Sequence, residues 1–196
     1  SIDLNCQYDQ EILLGETKKF SCKIKSKKDL KDVNFCLSDI CRKINLLPKG
    51  KEEKLEIKVK GEKAGWQKIL AQVDNQKQSY LEFLVSDNPN IQIEVQKPKI
   101  VNYGQDFSLS INLQLSSFSN PEKVKVTLSG PGFENQWKID QLIKNHQLPI
   151  KLESKNLGKE TKFQIITEWE DKKGKKFKTE KDIIILAQGK NFWEEL

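Results

Sequence analysis

Apolar residues recur at every second position along almost the whole chain, and that period leaves few folds open. Leu4, Cys6 and Tyr8 alternate with polar neighbours. So do Phe20, Cys22 and Ile24, then Val33, Phe35 and Leu37, then Leu55, Ile57 and Val59. Ile91, Ile93 and Val95 begin a second series, followed by Phe107 to Leu115, Val124 to Leu128 and Leu148 to Leu152. Successive side chains of a strand point to opposite faces, so this alternation marks strands with one face on a core and one in water. No stretch carries a convincing helical period. Turn residues separate the runs: Leu14-Gly15-Glu16, Pro48-Lys49-Gly50, Gly61 to Gly65, Asn102-Tyr103-Gly104, Gly130-Pro131-Gly132 and Asp171 to Gly174. Strands at this spacing predict an all-β sandwich architecture rather than βαβ units.

The two halves resemble each other. The segment from Ile12 through Gly15 and Phe20 to Ile24 parallels that from Ile100 through Gly104 and Phe107 to Ile111. Leu30 to Ser38 parallels Pro121 to Ser129, and Ile69 to Asn75 parallels Ile165 to Asp171. The order is kept while the offset drifts, as expected of two copies of one module with unequal loops. The predicted modules are residues 1–87 and 90–188, with a tail at 189–196. The boundary falls in Ser86-Asp-Asn-Pro-Asn90, where proline and small polar residues interrupt the pattern.

All four cysteines lie in the first module: Cys6, Cys22, Cys36 and Cys41. Four thiols allow three pairings. Cys6 is in phase with Leu4 and Tyr8, and Cys22 with Phe20 and Ile24, so both should face inward. Cys36 and Cys41 are out of phase with their apolar neighbours and should face outward. A bridge needs Cβ atoms about 4 Å apart, so partners should share a face. The expected bridges are Cys6–Cys22 and Cys36–Cys41, the second closing a hairpin over Leu37 to Ile40. In the second module Ser110 and Thr127, or residues near them, stand where the first has thiols. Three other uses compete. A zinc site normally shows close cysteine pairs, and only Cys36 and Cys41 approach that. Buried free thiols and a redox pair are the others, but there is no Cys-x-x-Cys. An even set of cysteines in disulfides points to an oxidising, extracytoplasmic compartment. The chain has no methionine and opens Ser-Ile-Asp, so its ends are expected to be processed or to continue into a longer protein.

Composition narrows the partners. The net charge is +6, but acidic and basic residues are interspersed, and Arg42 is the sole arginine. Readers of nucleic acid favour the planar guanidinium, so no nucleic-acid partner is expected. The lysine-rich stretches Lys25 to Lys31 and Lys172 to Lys181 read as solvated hairpin tips, with an acidic surface as the other reading. No apolar run approaches the ~18 residues of a membrane helix, so any anchor would lie outside this sequence. Catalysis has little to work with. His146 is the only histidine and reads as a surface residue before a strand. No nucleophile elbow, P-loop or dinucleotide fingerprint is present. No metal and no cofactor are expected. Among four tryptophans, Trp66, Trp137 and Trp169 fall at or in predicted strands and read first as packing residues. Trp137, with Phe133, follows a Gly-Pro-Gly turn and is the best candidate for an exposed binding anchor at a loop end. Trp193 lies in the tail, as a frayed end or the approach to a further domain.

The Gly-containing turn, the Val-x-Val/Phe-x-Leu-Ser strand and the Gly61 to Trp66 turn before a strand ending Val73-Asp-Asn75 resemble the tandem immunoglobulin-like modules of prokaryotic, especially archaeal, surface proteins. That group includes the CARDB-type and S-layer-associated repeats. The resemblance implies two antiparallel sandwiches joined by a short linker, in an extracellular or cell-surface protein. It implies a non-catalytic role in adhesion, scaffolding or protein–protein interaction, with a protein or a surface polymer as partner. It transfers no catalytic residue. The chain lacks the antibody pattern of paired strand cysteines around a tryptophan. A carbohydrate-binding module and an accessory ectodomain of a membrane-bound enzyme or transport complex are the alternative roles.

Overall fold

The computed structural model describes residues 1–189. The chain divides into two compact units, Ser1–Asp87 and a second beginning at Asn88. Among the described residues every regular element is a strand.

The first unit contains β1 (Ile2–Gln7), β2 (Glu11–Leu13), β3 (Thr17–Ser26), β4 (Leu30–Leu37), β5 (Ile40–Leu47), β6 (Glu52–Lys60), β7 (Gly65–Val73) and β8 (Lys77–Ser86). They form a three-stranded sheet, β1-β3-β6, and a five-stranded sheet, β2-β8-β7-β4-β5. The alternating residues meet between the sheets. Phe20, Ile24, Phe35, Leu37 and Ala71 are wholly buried there, with Phe83 set edge-on to Phe20 at 5.0 Å between ring centroids.

The second unit repeats the plan with β9 (Ile91–Gln96), β10 (Val101–Asn102), β11 (Phe107–Leu115), β12 (Glu122–Gly130), β13 (Phe133–Gln141), β14 (His146–Leu152), β15 (Glu160–Glu170) and β16 (Lys176–Gln188). Its sheets are β14-β11-β9 and β10-β16-β15-β12-β13, the same strand order. In each unit one short strand breaks the antiparallel rule in the same way: β2 runs parallel to β8, and β10 parallel to β16. Each also carries a left-handed residue early in its third long strand, Asp32 (φ 56°) and Lys123 (φ 49°). At the second, the pairing of β12 with β15 shifts register between Glu122 and Lys125, a bulge that bends the strand. Two immunoglobulin-like sandwiches of one topology follow, so the repeat legible in the sequence is a repeat of folds.

Both disulfides form, Cys6–Cys22 and Cys36–Cys41. The first joins facing residues of β1 and β3; the second joins facing residues of β4 and β5 around the Ser38-Asp39 turn. Cys22 is fully buried, whereas Cys41 is exposed, as their strand phases require. Strand register locates their counterparts in the second unit. Ile2, Leu4 and Cys6 face Ser26, Ile24 and Cys22; Ile91, Ile93 and Val95 face Leu115, Leu113 and Ile111 in the same order. The aliphatic pair Val95 and Ile111 therefore stands where the first unit has its buried bridge, one residue from the Ser110 expected. Thr127 faces Gln136 where Cys36 faces Cys41.

The segment expected as a linker is tied down at both ends. Ser86 closes β8, and its carbonyl accepts the Leu14 N–H. Asn90 donates its backbone N–H to Ser117 Oγ at 2.8 Å and its side-chain amide to Ser116 Oγ at 2.6 Å. The Trp169 indole N–H reaches the Pro89 carbonyl at 2.8 Å.

Candidate interaction surface

Each five-stranded sheet has an outer face that its partner sheet does not cover. On β7 of the first unit, Ile69, Ala71 and Val73 turn toward the core, so Trp66, Lys68 and Leu70 turn outward. On β8, Leu81, Phe83 and Val85 face in, and Tyr80, Glu82 and Leu84 face out. The antiparallel register sets these outward residues in cross-strand pairs: Trp66 with Leu84, Lys68 with Glu82, and Leu70 with Tyr80. Gly65, buried and with φ at 122°, makes the entry to β7 that puts Trp66 on this face. Trp66 is 68% exposed and Tyr80 53%. The Lys68 ammonium sits 4.8 Å from the Tyr80 ring centroid, a cation–π contact that orients the phenol. Leu13, on the neighbouring β2 beside Ser86, extends the apolar area on one side. Gln72 leads on the other side to Cys36 and the surface disulfide. The result is a flat face with two large aromatics, aliphatic neighbours and one charged pair between them. Large aromatics grouped exposed on one sheet face mark a candidate interaction surface.

The matching face of the second unit has another chemistry. Its cross-strand pairs are Glu160 with Leu186, Lys162 with Ile184, Gln164 with Asp182, and Glu168 with Lys178. Lys162 pairs with Asp182 at 3.2 Å, and Lys125 with Glu168 at 3.5 Å. Lys178 meets Glu180 at 2.9 Å, and the hydrogen bond the ammonium donates to that carboxylate, then the carboxylate's charge, holds it above the ordinary lysine range. Ile184 and Leu186 are exposed among these ions, so the face is a mixed charged and aliphatic surface. Among the described residues the exposed aromatic pair on this face is found in the first unit and not in the second.

Phe133 and Trp137 are placed otherwise than the loop-end reading expects. Both lie on β13, with Trp137 in mid-strand opposite Val126. They are four residues apart, roughly 13 Å along the strand, not side by side on a turn. Both are half-buried and pack against the core of the second unit, because their phase on β13 points them inward. W137A is expected to lower the stability of that unit by about 2 kcal/mol in denaturant titration, through lost packing. A variant as stable as the parent would return Trp137 to the exposed anchors.

The remaining candidates resolve by strand phase. Trp169 is buried and stacks on Phe177 at 6.0 Å. His146 is the exposed first residue of β14, facing Leu113, among Asn112, Gln114, Asn145 and Gln147. Lys25 to Lys31 spans the β3–β4 connection, and Lys172 to Lys181 the β15–β16 hairpin, whose tip is fastened by Asp171 Oδ1 accepting the Lys173 and Lys175 N–H groups. Among the described residues no group of three or more His, Cys, Asp or Glu is placed to hold a metal ion. No helix there is long and apolar enough to cross a membrane. The tail residue Trp193 lies outside the described residues.

Sequence reasoning read Trp66 as a packing residue and did not single out Tyr80, yet the signal for an outward aromatic was present at both. Trp66 is out of phase with Ile69, Ala71 and Val73, and Tyr80 with Leu81, Phe83 and Val85.

No family model matches the chain, and no curated protein matches it. Solved structures do. A four-domain ectodomain fragment of ICAM-5, D1–D4, aligns over 95% of this chain and 51% of its own length, at TM-score 0.56 and 10% identity. The chain therefore spans about half of that fragment, and the likeness establishes the immunoglobulin-like fold and nothing further. A 1.5-MDa bacterial ice-binding adhesin aligns over 96% of the chain and 65% of its own, at TM-score 0.45 and 14% identity. A red sea bream transglutaminase aligns over 96% and 31%, at TM-score 0.36 and 11% identity.

Proposed function

We propose that the chain is a non-catalytic, extracytoplasmic pair of immunoglobulin-like modules that binds a protein partner through the outer face of sheet β2-β8-β7-β4-β5. One observation carries the reading: Trp66 and Tyr80 stand exposed on that face, whereas the equivalent face of the second unit carries ion pairs and aliphatic side chains and, among the described residues, no exposed aromatic. Tryptophan and tyrosine are the residues most enriched among binding hot spots. Two disulfides and no free cysteine among the described residues support an oxidising compartment. The resemblance to CARDB-type and S-layer-associated modules belongs to the same reading and rests on strand pattern.

The test is a comparison of the parent with W66A, Y80A and the double variant. A partner captured from a surface extract is purified and titrated against each. Truncating Trp66 should weaken binding roughly 30-fold or more, while the unfolding midpoint stays within the scatter of surface substitutions, about 0.5 kcal/mol. Equal affinity of W66A and parent would move the site off this face. Two aromatics on one flat sheet also favour a second reading, a carbohydrate-binding platform. Binding to a glycan array, lost in W66A, would select that reading instead.

A further inference from the structure

Among the described residues β13 ends its sheet, and no strand covers its outer edge. The first unit treats the equivalent edge differently. There β5 is clasped to the other sheet by Arg42, whose guanidinium donates to Glu53 at 3.4 Å and to the Lys54 carbonyl. Register makes Trp137 the counterpart of Arg42, since Arg42 faces Phe35 on β4 and Trp137 faces Val126 on β12. Trp137 packs inward, so the clasp is lost. The backbone N–H of Gln136 is not spent on β12; it bonds to the Asn135 side chain at 2.9 Å. The backbone groups of Glu134, Gln136, Lys138 and Asp140 therefore face the open edge, because alternate residues of an antiparallel strand bond to the same side. An exposed strand edge is a template for another strand unless charge, proline or cover blocks it. β13 has neither a proline nor a covering strand, and its charges are arranged to match rather than to repel.

We propose that β13 pairs antiparallel with β13 of a second copy of this chain, about a two-fold axis through Gln136. The reason is self-complementarity. In that register Gln136 faces the partner's Gln136, and the two exchange backbone hydrogen bonds once each Gln136 N–H leaves its Asn135 side chain. Glu134 faces the partner's Lys138, and Lys138 faces the partner's Glu134, giving two opposite-charge pairs. Both side chains are exposed on the outer face. On the inner face Phe133 meets the partner's Ile139, and Ile139 the partner's Phe133, extending the half-covered apolar row of β13. A shift of the axis to Lys138 sets lysine against lysine. A shift to Trp137 sets Glu134 against Asp140. Like charges directly opposite destabilise a ladder, so the register through Gln136 is favoured over these two.

Sedimentation equilibrium of the full chain across a range of concentrations tests this. The parent should show a monomer–dimer equilibrium. Glu134→Lys and Lys138→Glu should each weaken it about tenfold or more, since each turns two attractive cross-strand pairs into repulsive ones. E134K mixed with K138E should form a heterodimer, and the doubly exchanged E134K/K138E should dimerise like the parent. Both positions are exposed, so folding, followed by circular dichroism, should be unchanged. W66A should dimerise normally, which separates this edge from the proposed partner face. A parent that stays monomeric, an association indifferent to E134K, or one abolished by W66A would overturn the proposal.

Discussion

Replacing Cys6 and Cys22 together by alanine is expected to cost the first unit about 3 kcal/mol. The bridge spans a sequence separation of 16, and a closed loop of that order removes roughly that much conformational freedom from the unfolded chain. In a unit of this size the loss corresponds to a fall in melting temperature on the order of 12–24 °C. The residue environment adds to the effect, because Cys22 is fully buried beside Phe20 and Ile24 and its sulfur is not replaced by a methyl group of equal reach. C36A/C41A should cost less, about 2 kcal/mol, because it closes a separation of 5 and leaves no buried gap. Amide hydrogen exchange in β3 and β8 reports on unfolding of the first unit alone. The second unit, with Val95 and Ile111 at the equivalent place, should unfold unchanged in either variant. A loss below about 1 kcal/mol for C6A/C22A would mean that the bridge adds little beyond the ladder. The same comparison bears on the compartment. A module that loses this much on reduction is suited to oxidising surroundings.

Removing the Trp169 side chain should cost the second unit about 4 kcal/mol, the range for a buried aromatic cut to alanine. Its indole is 4% exposed, stacks on Phe177 with an interplanar angle of 11°, and donates to the Pro89 carbonyl. W169F divides the effect. It keeps most of the apolar area but drops the hydrogen bond, and should cost about 1–2 kcal/mol. Hydrogen exchange gives a local readout. The amide of Asn90, bonded to Ser117 Oγ next to that carbonyl, should exchange faster in W169A than the amides of β11 and β15. A W169A protein as stable as the parent would show that the indole is not part of the core.

Much of the fold was legible because period two is a local property. Cys6 and Cys22 share a phase, and so do Cys36 and Cys41, and each pair proved to lie opposite in the ladder. The same rule was not carried through at Trp66 and Tyr80. Both phases point outward, but Trp66, at the start of a strand, reads as packing, and Tyr80 was not weighed. At Phe133 and Trp137 the error ran the other way. The Gly130-Pro131-Gly132 turn suggested a long exposed tip, whereas Phe133 pairs directly with Gly130 and the strand begins at once.

Period, turn chemistry and the internal repeat were sufficient for the all-β class, the two modules and the cysteine pairing. Each depends on residues near in sequence or on which of two faces a side chain takes. Which outward aromatics stay uncovered, and which strand ends its sheet with an open edge, depend on strand order. Strand order brings β4 beside β7 and β12 beside β15 across long stretches of intervening chain. The clasp of Arg42 on β6, and its replacement by Trp137 in the second unit, exist only once the two sheets face each other.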